Sequence, residues 1–159
     1  MWANQLDIPV FSVDYRLSPL SHFPDALNDC WQVYTWLVEE GEKNLGIKIN
    51  HIILAGDSAG GNLITSLTAL LIKKNYPKLP LSLIMSYPAQ YTGLAKFVPS
   101  ILLSLDDILL PFKFLREVMS AYQGNIAELN PDCNSETNDL MSPLLIDPQV
   151  LAKFPQTLI

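Results

Sequence analysis

Basic residues are scarce: 10 Lys+Arg stand against 16 Asp+Glu, a net charge of −6 over 159 residues. Binding a phosphate backbone needs a basic footprint, so no nucleic-acid partner is expected. Cysteine and histidine number two each, Cys30 and Cys133, His22 and His51. Two cysteines make no disulfide framework, and no Cys/His group has zinc-ligand spacing, so neither a metal site nor a cofactor is expected. Long hydrophobic runs are missing too. The richest stretch, Ile101 to Leu110, is interrupted by Ser104, Asp106 and Asp107, and falls short of the roughly 20 apolar residues that span a bilayer. The opening Met1-Trp2-Ala3-Asn4-Gln5 lacks the basic and apolar regions of a signal peptide. These absences read as a soluble chain without a transmembrane segment, in a reducing compartment.

What is present is apolar. Hydrophobic residues make up 49% of the chain, which excludes disorder. Such density suits a parallel sheet covered on both faces, or a piece of a larger core. The length suits one domain. Pro9 to Tyr15, rich in β-branched and aromatic residues, reads as a strand. From Pro24, apolar residues at Ala26/Leu27, Cys30, Val33/Tyr34 and Leu37/Val38 repeat at helical spacing, with Gly41 and Gly46 marking the end and the loop beyond. His51 to Ala55 reads as a central buried strand. Leu63/Ile64, Leu67 and Leu70/Leu71 give a second helical stripe, and Leu81 to Tyr87 a third strand. Strand, helix, strand, helix, strand is the βαβ pattern of an α/β fold with a parallel sheet and flanking helices. Further on, Phe112 to Tyr122 reads as helix, Asn125 to Asn138 as polar loop, Pro148 to Lys153 as a short helix, and Thr157 to Ile159 as the start of a strand. Trp31, Tyr34 and Trp36 read as helix packing and surface aromatics, Cys30 as an inert core thiol, and Met85 and Phe112 as core candidates.

Between the second strand and the second helix lies Gly56-Asp57-Ser58-Ala59-Gly60, a G-x-S-x-G pattern. A strained strand-to-helix turn holds a serine Oγ out of the sheet towards a substrate. Glycines flank it because side chains there would meet the neighbouring backbone. The turn falls at the C-terminal end of a strand, where open α/β sheets bind ligands. The helix start adds its positive dipole end, and the Ala59 N–H is an oxyanion donor candidate. Ser58 is therefore the candidate nucleophile, with Gly56, Asp57, Gly60 and Gly61 as structural members of its turn. A glycine-rich turn containing a serine without catalytic duty is the plainer reading.

The octapeptide Gly56-Asp57-Ser58-Ala59-Gly60-Gly61-Asn62-Leu63 resembles the G-D-S-A-G-G-N-L turn of the hormone-sensitive lipase group of α/β-hydrolases. Val13 to Pro19 resembles that family's V-D-Y-R-L-A-P segment, and Phe23 to Asp29 its F-P-x-A-L-x-D helix entry. Pro99 to Leu105, Leu109 to Pro111, Ser120 to Gly124 and Met141 to Leu145 resemble its animal-type branch. Leu20 departs from the Glu usual after the proline. The resemblance covers nearly the whole chain. It implies a partial α/β-hydrolase fold and hydrolysis of acylglycerols or related lipid esters. It also implies a cytoplasmic setting, with the complete protein associating with lipid droplets.

In that family the triad runs Ser, then Asp or Glu, then His, but both histidines here precede Ser58. His51 opens the strand that Ser58 closes, on the order of 20 Å away at about 3.3 Å per residue. His22 reads as a surface loop residue. Asp147-Pro148 looks like the family's Asp-Pro acid site but precedes the strand it should follow, and Gln149 replaces Leu. Asp106 and Asp107 read as solvated carboxylates. The H-G-G-G oxyanion loop is also unmatched, since the first glycine is Gly41. The triad Asp and His are thus not in this chain, residues 1–159 read as the central part of a longer catalytic domain, and the chain alone is expected to be inactive. A non-catalytic α/β-hydrolase-like binding or scaffold module is the alternative. In the animal-type lipases a regulatory segment with phosphorylation sites separates the S-A-Y-x-G and S-P-L-L regions. Only Asn125 to Met141 joins them here, so such control is expected to be absent.

Overall fold

The computed structural model describes residues 2–93, 105, 107–124 and 134–159. The family-like Pro99–Ser104 segment, Asp106, Cys133 and the part of the polar loop within 125–133 lie outside the described residues. A short helix α1 (Trp2–Leu6) leads into a segment without regular secondary structure. Then follow α2 (Asp25–Glu39), α3 (Gly41–Leu45), β1 (Ile53–Asp57), α4 (Ala59–Lys73) and β2 (Ser82–Ser86). After these come α5 (Phe112–Gln123), a 3-10 turn at Pro143–Leu145, α6 (Pro148–Leu151) and β3 (Gln156–Leu158).

The three strands form one parallel sheet in the order β1-β2-β3. Ile53 to Asp57 pair in register with Ser82 to Ser86, and Ser82 to Ile84 with Gln156 to Leu158. Helix α4 packs on β1 and β2, and α2 lies against α4. Between them sits the core: Phe23, Ala26, Leu27, Tyr34, Leu63, Leu67, Leu71 and Met141, with Leu54 and Ile52 at its border. The helical stripes read from the sequence are these faces of α2 and α4. Asp25 in the first turn of α2 suits the positive end of the helix dipole. Lys73 in the last turn of α4 pairs with Asp139 at 2.5 Å, and Asn75 ends the helix with φ 50°.

Four expectations change. Pro9 to Tyr15 joins no strand ladder: it is irregular and has no sheet partner among the described residues, and a strand exists only through pairing. The second strand starts at Ile53 instead of His51 and, among the described residues, is an edge strand and not a central buried one, since β2 alone flanks it there. One sheet face is covered by α4, with Leu83 fully buried, while Ile53, Ile84 and Leu158 on the other face are 48%, 43% and 65% exposed. No described element packs there. Gly41 lies just past the end of α2, but in place of the expected loop it begins α3, where it is buried; Gly46, at φ 66°, closes that helix. Phe112 lies on α5, a helix without buried residues, and is not core, whereas Met85 is.

Arg16 ties the end of the irregular segment to α2. Its guanidinium makes bonds of 2.9 to 3.1 Å to both Asp29 oxygens, and its own N–H donates to Asp29 at 2.9 Å. The aromatics divide as their positions suggest. Tyr34 is buried and donates to the Lys78 carbonyl, Trp31 meets Tyr76 edge-on at 5.6 Å, and Trp36 is exposed. Cys30 is half-buried, and burial, reinforced by the charge of Asp29, pushes its thiol up to about 11. A thiolate is the reacting form, so at pH 8 alkylation of Cys30 should run roughly 100-fold slower than that of a free thiol. Iodoacetamide kinetics on the folded protein carrying Cys133→Ser, against the same protein unfolded, measure this ratio.

Candidate active site

The sheet delivers Ser58 to the C-terminal edge of β1. The β1–β2 ladder continues one residue past the strands, with the Ser58 N–H donating to the Ser86 carbonyl at 3.0 Å. The chain then reverses into α4 with Ser58 at φ 48° and ψ −112°. That is a sparsely populated conformation for a residue with a Cβ, and holding it costs about 1–3 kcal/mol. The Ser58 carbonyl accepts from the Ala89 N–H at 3.1 Å and the Asn62 N–H at 3.2 Å. Tyr87, at the end of the adjacent strand, has a positive φ of 38°, and its hydroxyl donates to Asp57 Oδ2 at 3.4 Å. Asp57, Ser58 and Ala59 are all exposed.

Two glycines of the turn are sterically demanded, and a third is not. A Cβ on Gly56 would lie 2.5 Å from the backbone C and O of Gly60, and one on Gly61 would lie 2.6 Å from the Cβ of Pro88. At Gly60 a Cβ would meet nothing within 4 Å. Strand and helix start thus touch through Gly56, and helix and the Pro88 segment through Gly61. Gly56→Ala is expected to destabilise by about 3 kcal/mol or more, because the clash is with backbone. Gly60→Ala should be neutral, or stabilise by up to about 1 kcal/mol, since Ala is the better helix former. Urea unfolding midpoints of the two variants check the contrast.

Ala59 is the first residue of α4, whose leading N–H groups have no intrahelical acceptor and carry the positive end of the dipole. Its N–H is therefore available to an anionic oxygen beside Ser58.

A buried polar layer lies behind the turn, and sequence reading did not single it out. Asn62 Nδ2 donates to the Ala89 carbonyl at 2.7 Å and the Met141 carbonyl at 3.1 Å. Ser66 Oγ donates to the Leu140 carbonyl at 2.7 Å, and Thr92 Oγ1 to that of Met141 at 3.1 Å. The signal available was a set of polar residues, Asn62, Thr65, Ser66 and Thr68, inside an apolar helical stripe.

The other titratable candidates are scattered. His51 precedes β1, at the opposite end of the strand from Ser58. His22 is exposed and packs on Gly124; its Nδ1 bonds the Ala121 carbonyl at 2.8 Å, which fixes the proton on that nitrogen. Asp147 accepts from the Gln149 N–H at 2.6 Å as the N-cap of α6. Asp107 accepts from the N–H groups of Leu109 and Leu110, which holds its carboxyl below the usual range. Tyr15 is raised by burial first and then by the Cys30 and Asp57 charges. Among the described residues no group of three His, Cys, Asp or Glu side chains is placed to hold a metal. Nor is any helix of the described residues long and apolar enough to cross a membrane.

A parallel sheet whose strand ends in a strained serine before a helix is the layout of an α/β hydrolase. The family model for the alpha/beta hydrolase fold matches residues 1–159, and the chain belongs to that family. Hormone-sensitive lipase of Mus musculus is 40% identical over 141 residues, covering 88% of this chain and 18% of that protein. The Homo sapiens hormone-sensitive lipase is 36% identical over 152 residues, covering 96% of this chain and 14% of its own length. Among solved structures, carboxyl esterase 2 from the fungus Tuber melanosporum superposes with a TM-score of 0.76 at 32% identity, covering 91% of this chain and 44% of that one. The Pyrobaculum calidifontis esterase gives 0.78 at 25% identity, covering 98% and 47%. The chain thus spans less than a fifth of these lipases and under half of these esterases.

Proposed function

We propose that this chain carries the nucleophile of a serine carboxylic-ester hydrolase acting on acylglycerols or related lipid esters. The observation that carries the reading is Ser58, exposed at φ 48° on the turn between β1 and α4. Its Oγ attacks the ester carbonyl carbon and yields its proton to a general base. The tetrahedral oxyanion is met by the Ala59 N–H. Collapse breaks the acyl C–O bond, the alcohol leaves with the proton, and water then releases the acid from the acyl-serine by the same steps reversed. Neither His22 nor His51 suits the base, for the placements given above. Base, acid and further oxyanion donors are therefore assigned to parts of a longer catalytic domain, of which residues 1–159 are the central part.

The likeness to lipases and esterases supports the ester class. Similarity to hormone-sensitive lipases supports a cytoplasmic protein that meets its substrate at lipid droplets. A fluorophosphonate probe applied to the full-length protein tests the core of this reading. Mass spectrometry should find the adduct on the peptide carrying Ser58. A full-length protein that binds lipid esters without acquiring an adduct would instead be the non-catalytic binding or scaffold module.

A further inference from the structure

Asn62 stands one helical turn beyond Ser58 and is 3% exposed. Its side-chain nitrogen faces two carbonyl oxygens, those of Ala89 and Met141. Both are acceptors only, so the amide orientation is fixed: turned over, its oxygen would face theirs. That orientation leaves Asn62 Oδ1 buried without a hydrogen-bond partner. An orphaned buried acceptor destabilises a fold. An amide here therefore gives the fold less than its two donated bonds suggest.

One of those bonds holds the residue that holds Ser58. The Ala89 carbonyl is gripped by the Asn62 side chain, and the Ala89 N–H donates to the Ser58 carbonyl. The Asn62 backbone N–H reaches the same Ser58 carbonyl. One residue thus closes a ring: Asn62 side chain, Ala89 carbonyl and N–H, Ser58 carbonyl, Asn62 backbone. The ring clamps the Ser58–Ala59 peptide and with it the Ser58 ψ of −112°, while the Ser86 carbonyl holds the peptide on the other side through the Ser58 N–H. The second bond, to Met141, ties the clamp to the chain segment before the Pro143–Leu145 turn, at a carbonyl that Thr92 also bonds.

We propose that Asn62 is a positioning residue for the nucleophile, holding Ser58 Oγ in its attacking orientation through Ala89. The proposal rests on Ser58 being the nucleophile. Misplacing a reacting atom by about 1 Å costs up to roughly 100-fold in rate, while substrate affinity, set elsewhere, stays.

The test compares Asn62→Ala with Ser66→Ala in the full-length protein. Ser66 donates to the neighbouring Leu140 carbonyl from the same helix but has no link to Ser58. Active sites are counted by fluorophosphonate titration, so unfolded molecules drop out of the comparison. Asn62→Ala is expected to lower kcat per titrated site by about tenfold or more with KM within about twofold. Ser66→Ala should lower Tm while leaving kcat per site unchanged. Should the alanine variant fail to fold, Asn62→Ser, with a smaller side chain and a single donor, carries the same comparison. Equal kcat per site in the Asn62 and Ser66 variants, with labelling of Ser58 intact, overturns the proposal and leaves the nucleophile reading standing. Labelling that never reaches Ser58 in the unaltered protein overturns both.

Discussion

Replacing Ser58 by Ala in the full-length protein is expected to lower ester hydrolysis by roughly 10⁴- to 10⁶-fold, the loss typical when a serine nucleophile is removed. Alanine deletes only Oγ, and no hydrogen bond given above uses that atom. The backbone bonds of Ser58 to Ser86, Ala89 and Asn62 survive the change. Alanine meets the same backbone strain as serine, so Tm should shift by no more than a few degrees. Fluorophosphonate labelling should vanish along with turnover of a short-chain nitrophenyl ester. Turnover that persists, with the probe found on another residue, would refute the nucleophile assignment.

Residues Met1 to Ile159 expressed alone should not hydrolyse esters at a useful rate. A serine hydroxyl without a base is a weak nucleophile at neutral pH. Loss of one triad member alone removes on the order of 10⁴- to 10⁶-fold of the rate, and losses within a triad do not multiply. Missing oxyanion donors remove a further 10²-fold or so. The fold adds a second difficulty. Among the described residues the strand bearing the nucleophile is an edge, and Ile53, Ile84 and Leu158 form an exposed apolar face. Unpaired edges and apolar patches favour association between chains. The check is a nitrophenyl ester assay on purified soluble chain beside its Ser58→Ala variant. Equal, near-background rates are expected. A rate lost only in the variant would make His22 the candidate base.

Much of this architecture was legible because short-range rules governed it. The periodic stripes of α2 and α4 and the apolar run of β2 need no knowledge of distant residues. The Ser58 turn was legible for the same reason, since glycine spacing reports a tight strand-to-helix reversal. Pro9 to Tyr15 was misread because strand character in a sequence is a capacity, realised only when a neighbour supplies the ladder. His51 and Ile52 look like strand, yet the ladder begins where Leu81 N–H reaches Ile52 and proceeds from Ile53. Gly41 does follow the end of α2, but the loop expected beyond it is the short helix α3; a Cβ at Gly41 would lie 2.7 Å from Ile49 Cδ1, so a close packing contact and not a positive φ suits glycine there. At the site, Gly56 and Gly61 are demanded by contacts across the turn, but Gly60, equally prominent in the motif, has room for a side chain. Asn62 escaped notice because its partners, Ala89 and Met141, are far away in sequence and both bonds are to backbone, which leaves no side-chain signature.

The two crossovers of the sheet differ in span. Ile53 pairs with Ser82, but Ser82 pairs with Gln156. The second connection is roughly 2.5 times the first in sequence, and closing it costs only about 0.8 kcal/mol more chain entropy, because the cost grows with the logarithm of length. Doubling it again would add about 0.6 kcal/mol. Length between β2 and β3 is therefore close to a free variable for this sheet. A whole inserted module could enter that crossover while Leu83 and Ile84 kept the same neighbours in β3.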